Sequence, residues 1–217
     1  ATTLLKDRAP EICPSGQYES GVWLGPGDLE SSVALLWKNT GRMLTGGYGG
    51  WWFDMWGGWF SEPEFLKILS STQQLWLEYP AHTDLLTSAE ICVLVDEELC
   101  FLDASFGRLS GEIVSNAYPL ARSGAPYDLF LRGDLEAVTD RPNNTDGPYK
   151  VVWMMGFTDL TGKEREMISE LKQEGVTLVW TDTSATRIDL PGKAEPALHF
   201  KVKWTSSELR ELWEHVG

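Results

Sequence analysis

The sequence predicts an α/β protein whose C-terminal part is a doubly wound parallel sheet, preceded by a shorter βα fragment of different character. Two observations predict the sheet. Short apolar runs recur at 91–95, 127–131, 149–155 and 176–180, with helix-like stretches between them. The first run, Ile91-Cys-Val-Leu-Val95, is apolar at every position, as a strand covered on both faces must be. Strands that alternate with helices pair in parallel through right-handed crossovers. A third observation marks the fragment: four of the chain's eleven tryptophans fall within residues 51–59.

In order along the chain, residues 1–27 are rich in Pro and Gly and read as loop, with a short strand at Gly21-Val-Trp-Leu24. Asp28 is placed to cap a helix reaching about Leu44, with Leu29, Val33, Leu36 and Trp37 on one face and Gly46-Gly47 as its stop. Gly49-Gly-Trp-Trp-Phe-Asp-Met-Trp-Gly-Gly-Trp-Phe60 then reads as a short buried strand bounded by glycine pairs. Side chains alternate across a strand, so Trp52, Asp54 and Trp56 share one side and Trp51, Phe53 and Met55 the other. Ser61, Pro63 and Glu64 have the pattern of a capping box opening a helix over 61–78. Its apolar face comprises Phe65, Leu66, Ile68, Leu69, Leu75 and Trp76, and Tyr79-Pro80 stops it. Residues 80–88 read as a linker, which divides the chain into 1–84 and 85–217.

Within the second part a helix is expected between Gly111 and Ser123, and a polar turn-rich loop over 140–148. Thr161-Gly-Lys-Glu164 and Thr205-Ser-Ser-Glu208 both have capping-box spacing. The first opens a helix with Met167, Ile168 and Leu171 inward, closed by Gly175. The second opens a helix with Leu209, Leu212, Trp213 and Val216 on one stripe. This order of elements is that of a flavodoxin-like fold.

Composition excludes several functions. The formal charge of −14 opposes nucleic-acid binding, which depends on neutralising phosphates with Lys and Arg. No stretch approaches the roughly 20 apolar residues of a membrane helix, and the first residues lack the basic start and apolar core of a signal peptide. Cys13, Cys92 and Cys100 have neither metal-site spacing nor an even count, so no metal is expected, and a reducing compartment such as the cytoplasm is favoured. The acidic loop Asp96-Glu-Glu-Leu-Cys-Phe-Leu-Asp103 lacks a glycine-rich phosphate cradle, and no cofactor is expected.

Two stretches carry a resemblance: Tyr149-Lys-Val-Val-Trp-Met-Met-Gly-Phe-Thr-Asp-Leu-Thr161, and Glu170-Leu-Lys-Gln-Glu-Gly-Val-Thr-Leu-Val-Trp180. Together they resemble the class I glutamine-amidotransferase-like domain of β-galactosidase-type glycoside hydrolases of family 42. In that family the domain follows the catalytic barrel and mediates trimer contacts. Gly50-Trp-Trp-Phe-Asp-Met-Trp-Gly-Gly-Trp-Phe60 resembles the barrel's last strand, and 61–78 its final helix. The resemblance implies a homo-oligomer and a carbohydrate ligand. A complete barrel needs about 250 residues, so most or all of the family's catalytic carboxylates are expected to be absent and the chain is expected to be a piece of a longer enzyme, clipped at both ends.

Retaining glycosidases need two carboxylates about 5 Å apart. Asp54 falls near the C-terminal end of the expected last strand, where barrel sites form. It is a candidate to bind a sugar hydroxyl, with Trp52, Trp56 and Trp59 as aromatic surfaces for the ring. The plainer alternative is that these tryptophans fill a core, and that Glu19 and Asp28 are surface or capping acids. No catalytic residue is assigned. An amidotransferase would carry a nucleophilic cysteine on a sharp strand-to-helix turn. The turn Gly156-Phe-Thr-Asp-Leu160 has none, Cys92 lies mid-strand, and Cys100 has no glycine elbow, so His199 and His215 need no catalytic role. A stand-alone carbohydrate-binding or protein-interaction module is the alternative function, and a small independent hydrolase a third.

Overall fold

The computed structural model describes residues 25–45, 49–54, 58–82, 89–105, 107–139 and 149–216. The strand expected at 21–24, the glycine stop at 46–47, the loop at 140–148, Cys13 and Trp56 lie outside the described residues. The chain divides into two compact units, residues 1–85 and 86–217. Among the described residues no helix is long and apolar enough to cross a membrane.

In the first unit, helix α1 spans Leu29–Thr45. Asp28 caps it as expected: one carboxylate oxygen accepts the Ser31 N–H at 2.7 Å and the other the Ser31 hydroxyl at 2.9 Å. Those bonds, the backbone one first, hold the Asp28 carboxyl below its ordinary pKa. The buried row is Ser32, Leu36 and Thr40, one residue in each successive turn. Leu29 and Trp37, expected on the inward face, are 38% and 40% exposed. The inward row tolerates a hydroxyl because Thr40 donates to the Leu36 carbonyl at 3.0 Å and sits 3.0 Å from the Thr72 hydroxyl, which must therefore donate to it.

Helix α2 spans Pro63–His82. It starts differently from the expected capping box. The Ser61 hydroxyl turns back to donate to the Gly58 carbonyl at 2.8 Å, and Glu64 pairs with Lys67. The Glu62 carbonyl accepts the first helical N–H groups, those of Phe65 and Leu66. The helix also runs past Tyr79-Pro80, because a proline so near the end removes only one intrahelical bond. Leu36 shares a buried cluster with Phe65 and Ile68, while Thr40, one turn later, meets Thr72. That order makes α1 and α2 parallel, so the segment between them must return along nearly the length of a helix.

The returning segment corrects the expected buried strand. Residues 51–54 form no strand, and Trp51 is 76% exposed. Trp52 packs edge-to-face on Phe60, with centroids 6.0 Å apart, and both pack on the Leu36–Phe65–Ile68 cluster. Glycine pairs and large aromatic rings suit a buried strand and an irregular packed turn equally well.

The second unit is a six-stranded mixed sheet in the order β2-β1-β3-β4-β5-β6, flanked by helices. Strands β1 (Ile91–Val95), β2 (Tyr127–Leu131), β3 (Val151–Met155) and β4 (Thr177–Thr181) are parallel, with Val93 between Leu129 and Trp153 and Trp153 beside Val179. Strands β5 (Thr186–Asp189) and β6 (Ala197–His199) add on antiparallel and correct the expectation of an all-parallel sheet. β6 is three residues long and exposed throughout, so it carries no apolar run for the sequence to reveal.

Alternate residues of the strands feed two cores. On one face Val93, Val151, Trp153, Met155, Val179 and Ile188 pack under helices α4 (Arg108–Val114), α5 (Ala117–Ser123) and α8 (Ser206–Val216), through Ile113, Leu120, Leu209 and Trp213. On the other, Cys92, Leu94, Val152, Met154 and Leu178 meet α6 (Leu135–Thr139) and α7 (Gly162–Gln173), through Leu135, Val138, Ile168 and Leu171. The single helix expected over 111–123 is broken at Ser115-Asn116. The buried Asn116 amide donates to the Val202 carbonyl at 2.8 Å and accepts the Trp204 N–H at 2.9 Å. Both expected capping boxes close. Thr161 and Glu164 exchange bonds at the start of α7, and Thr205 and Glu208 do so at α8. Gly175, at φ +87°, follows α7 as expected.

Candidate functional site

In the first unit, the Asp54 carboxylate accepts the backbone N–H of Trp59 at 3.2 Å and so braces the turn that leads into α2. Trp59 is buried and Trp52 half-buried against Phe60. The open aromatic surface belongs instead to Trp51 and Phe53, edge-to-face with centroids 5.2 Å apart and both exposed. Sequence alternation placed these two on the far side from Asp54. An irregular backbone, not a strand's two-residue period, decides which of them reach solvent.

In the second unit, an open α/β sheet leaves a crevice at the carboxyl ends of its strands, where the strand order reverses. Here the reversal lies between β1 and β3. A guanidinium fills the place. Arg132 leaves the end of β2 and donates to Asp96 at 2.8 Å, to the two Glu164 oxygens at 2.6 and 2.9 Å, and to the Asp159 carbonyl. It lies over the Phe157 ring, 5.2 Å from the centroid, while its backbone N–H donates to Glu97 at 3.0 Å. The Asp96 side chain is completely buried and that of Glu164 partly so.

The electrostatics follow from this geometry. Arg132, bonded through its side chain, lowers the Glu164 carboxyl to about 2 against the opposing effect of burial, and the Thr161 N–H adds to it. Arg132 is held above its ordinary pKa by Glu164 first, against its own burial, with help from Asp96. After β4, burial works to raise the Asp182 carboxyl, but the N–H groups of Ser184 and Ala185 outweigh it and the net shift is downward. Arg132 is the functional-looking residue that sequence reading missed. Its position directly after an apolar run was the available signal.

A nucleophile is not assembled there. Gly156, at φ +82°, follows β3 at the point where an elbow nucleophile would stand, and a Cβ on it would lie 2.8 Å from Leu99. Cys92 is buried within β1. Cys100 is exposed in the short helix α3 (Leu99–Leu102), its thiol donating to the Glu97 carbonyl at 3.1 Å. His199 lies on β6, four strands from β1 and thus roughly 19 Å across the sheet. His215 lines a cavity with Tyr149, Lys150 and Thr177, at the amino ends of the strands. No cysteine–histidine pair forms among the described residues. No group of three His, Cys, Asp or Glu side chains there could hold a metal.

A cavity of about 480 Å³ opens beside the ionic cluster, lined by Leu99, Leu102, Asp103, Ala104, Ser105, Thr158 and Thr183. Comparison of the chain with known protein families, with curated proteins and with solved structures finds no match.

Proposed function

We propose that the chain is the C-terminal portion of a β-galactosidase-like glycoside hydrolase, in which a flavodoxin-like, amidotransferase-like domain is non-catalytic and serves to assemble copies of the protein. The observation that carries this reading is the filled crevice. Where such a fold would hold its reactive group or ligand, Arg132 is locked between Asp96 and Glu164, and glycine stands after β3. The strand order 2-1-3-4 in parallel supports the flavodoxin-like assignment. In the first unit, parallel α1 and α2 joined by a returning aromatic segment support an origin in a barrel, whose successive helices run in the same direction. Leu66, Leu75 and Leu77, exposed on α2, are apolar surface suited to contact with further protein.

The test is the coding sequence immediately upstream. The reading expects repeated βα units carrying two carboxylates at strand ends. An unrelated upstream protein in its own reading frame would overturn it. The isolated chain is further expected not to hydrolyse aryl galactosides, and turnover abolished by Asp54→Ala would contradict that.

The exposed Trp51–Phe53 pair favours a second reading, a stand-alone carbohydrate-binding module. Saturable quenching of tryptophan fluorescence by a simple galactoside, lost in Trp51→Ala, would select it over the first.

A further inference from the structure

We propose that β2 is the contact through which two copies of the chain join: it pairs antiparallel with the β2 of a second copy, about a two-fold axis centred on Leu129, so that two six-stranded sheets become one. This rests on the assembly role proposed above and names the surface that performs it.

Among the described residues β2 ends the sheet, paired with β1 along all five of its residues. An edge strand offers backbone N–H and C=O groups on its outer side, and folds commonly blunt such an edge with Lys or Pro. None of the five residues Tyr127-Asp-Leu-Phe-Leu131 is either. The one charge, Asp128, accepts the Tyr149 hydroxyl at 2.6 Å and is held on the face of Cys92 and Val152. On the opposite face lies the row Tyr127, Leu129 and Leu131. Tyr127 packs on the core beneath the helices, but Leu129 is 61% and Leu131 50% exposed. Backbone and side chains thus call for the same partner, a strand with apolar residues at alternate positions.

β2 itself is such a strand, and charge selects the register. Centred on Leu129, the pairing sets Leu129 opposite Leu129 of the second copy, Leu131 opposite its Tyr127, and Asp128 opposite its Phe130. The exposed apolar row meets only itself, and the strand's one carboxylate faces an aromatic ring. Centred on Asp128, the two carboxylates would stand directly opposite, which is destabilising, and Pro126, with no N–H to give, would enter the ladder. Centred on Phe130, only three of the five residues would overlap. The Asp134 carboxylate accepts the Leu131 N–H at 3.0 Å and closes the strip at that end. The opposite edge, β6, has three residues and matches this length poorly. A two-fold contact consumes both β2 edges, so growth through it stops at two copies. A formal charge of −14 per chain opposes indiscriminate adhesion and leaves association to a matched local surface.

The experiment compares the full chain with variants at the edge, by sedimentation equilibrium and by oxidative cross-linking. Leu129→Lys, at an exposed position, should halve the particle mass with the far-ultraviolet circular dichroism unchanged. Single cysteines are then placed in a chain carrying Cys13→Ser and Cys100→Ser, which leaves only the buried Cys92. Residues directly opposite in an antiparallel pair have Cα atoms about 4.5–5.5 Å apart, within disulfide range. Leu129→Cys should therefore cross-link two copies under mild oxidation. Leu131→Cys should not, because the two copies of that residue lie roughly 13 Å apart along the strands. Association that persists in Leu129→Lys overturns β2 as the contact and leaves the assembly role standing. A particle of 24.3 kDa at every concentration of the unmodified chain overturns both. If Leu129→Lys does not fold, the cysteine pair decides: equal cross-linking of the two variants, or none in Leu129→Cys, overturns the proposal.

Discussion

At the scale of single residues, the second unit is organised by two buried polar centres that its apolar pattern does not announce. One is the hydroxyl of Thr186. It donates to the Lys201 carbonyl at 2.8 Å, so it must accept both from the Trp204 indole at 3.2 Å and from the Thr181 hydroxyl at 3.0 Å. Thr181 in turn accepts the Trp153 indole N–H at 2.8 Å. Thr186→Val preserves shape but leaves buried partners unpaired, and should cost about 2–3 kcal/mol. Urea denaturation checks this, and an unchanged midpoint would show that the relay adds nothing. The other centre is Arg132. Arg132→Met strands the buried Asp96 charge and removes the partner of the partly buried Glu164, and a loss of about 3 kcal/mol is expected in the same assay. The pH dependence has a definite sign. The folded Glu164 carboxyl is depressed to about 2, so its contribution is complete above its ordinary value and is lost as pH falls toward 2. Arg132→Met should therefore flatten the acid limb of the stability curve between those limits. An acid limb as steep as that of the unmodified chain would contradict the assignment.

At the scale of elements, local signals were legible where they are chemically self-contained. The Thr161–Glu164 and Thr205–Glu208 boxes close within four residues, and the four strands announced by short apolar runs lie within one or two residues of their expected ends. Thr161→Ala should accordingly cost about 1 kcal/mol, measured as a shift in the urea midpoint. Signals that depend on distant partners were not legible. β6 exists because β5 offers it a ladder, although none of its three residues is buried. The break between α4 and α5 depends on Asn116 meeting backbone groups more than eighty residues away. In the first unit apolar periodicity placed Leu36 and Val33 correctly, but the inward row of α1 also includes Ser32 and Thr40 in place of Leu29 and Trp37. Ser61 had the right spacing for a cap, but its hydroxyl was taken by the preceding turn. Of the candidate sugar-contact residues, Asp54 is placed by a backbone N–H and Trp59 by burial. Neither constraint leaves a trace in residue spacing.

At the scale of the whole molecule, the two units are compact separately, and a change confined to one should leave the other's packing in place. Asp54→Ala should loosen the turn before α2 without disturbing the six-stranded sheet. Retained amide exchange protection in β1, β3 and β4 would agree with that, and global loss of protection would contradict it. Apolar side chains stand exposed on the sheet unit too, among them Phe101, Leu102, Leu129 and Leu131. Among the described residues β2 is an edge strand, a template for further pairing. These features agree with the proposed assembly role, as does Arg132 held between Asp96 and Glu164 in the crevice. Sedimentation equilibrium of the purified chain addresses that role most directly. The account predicts a particle whose mass is an integral multiple, greater than one, of the 24.3 kDa chain. A single species of 24.3 kDa at every concentration examined would contradict it.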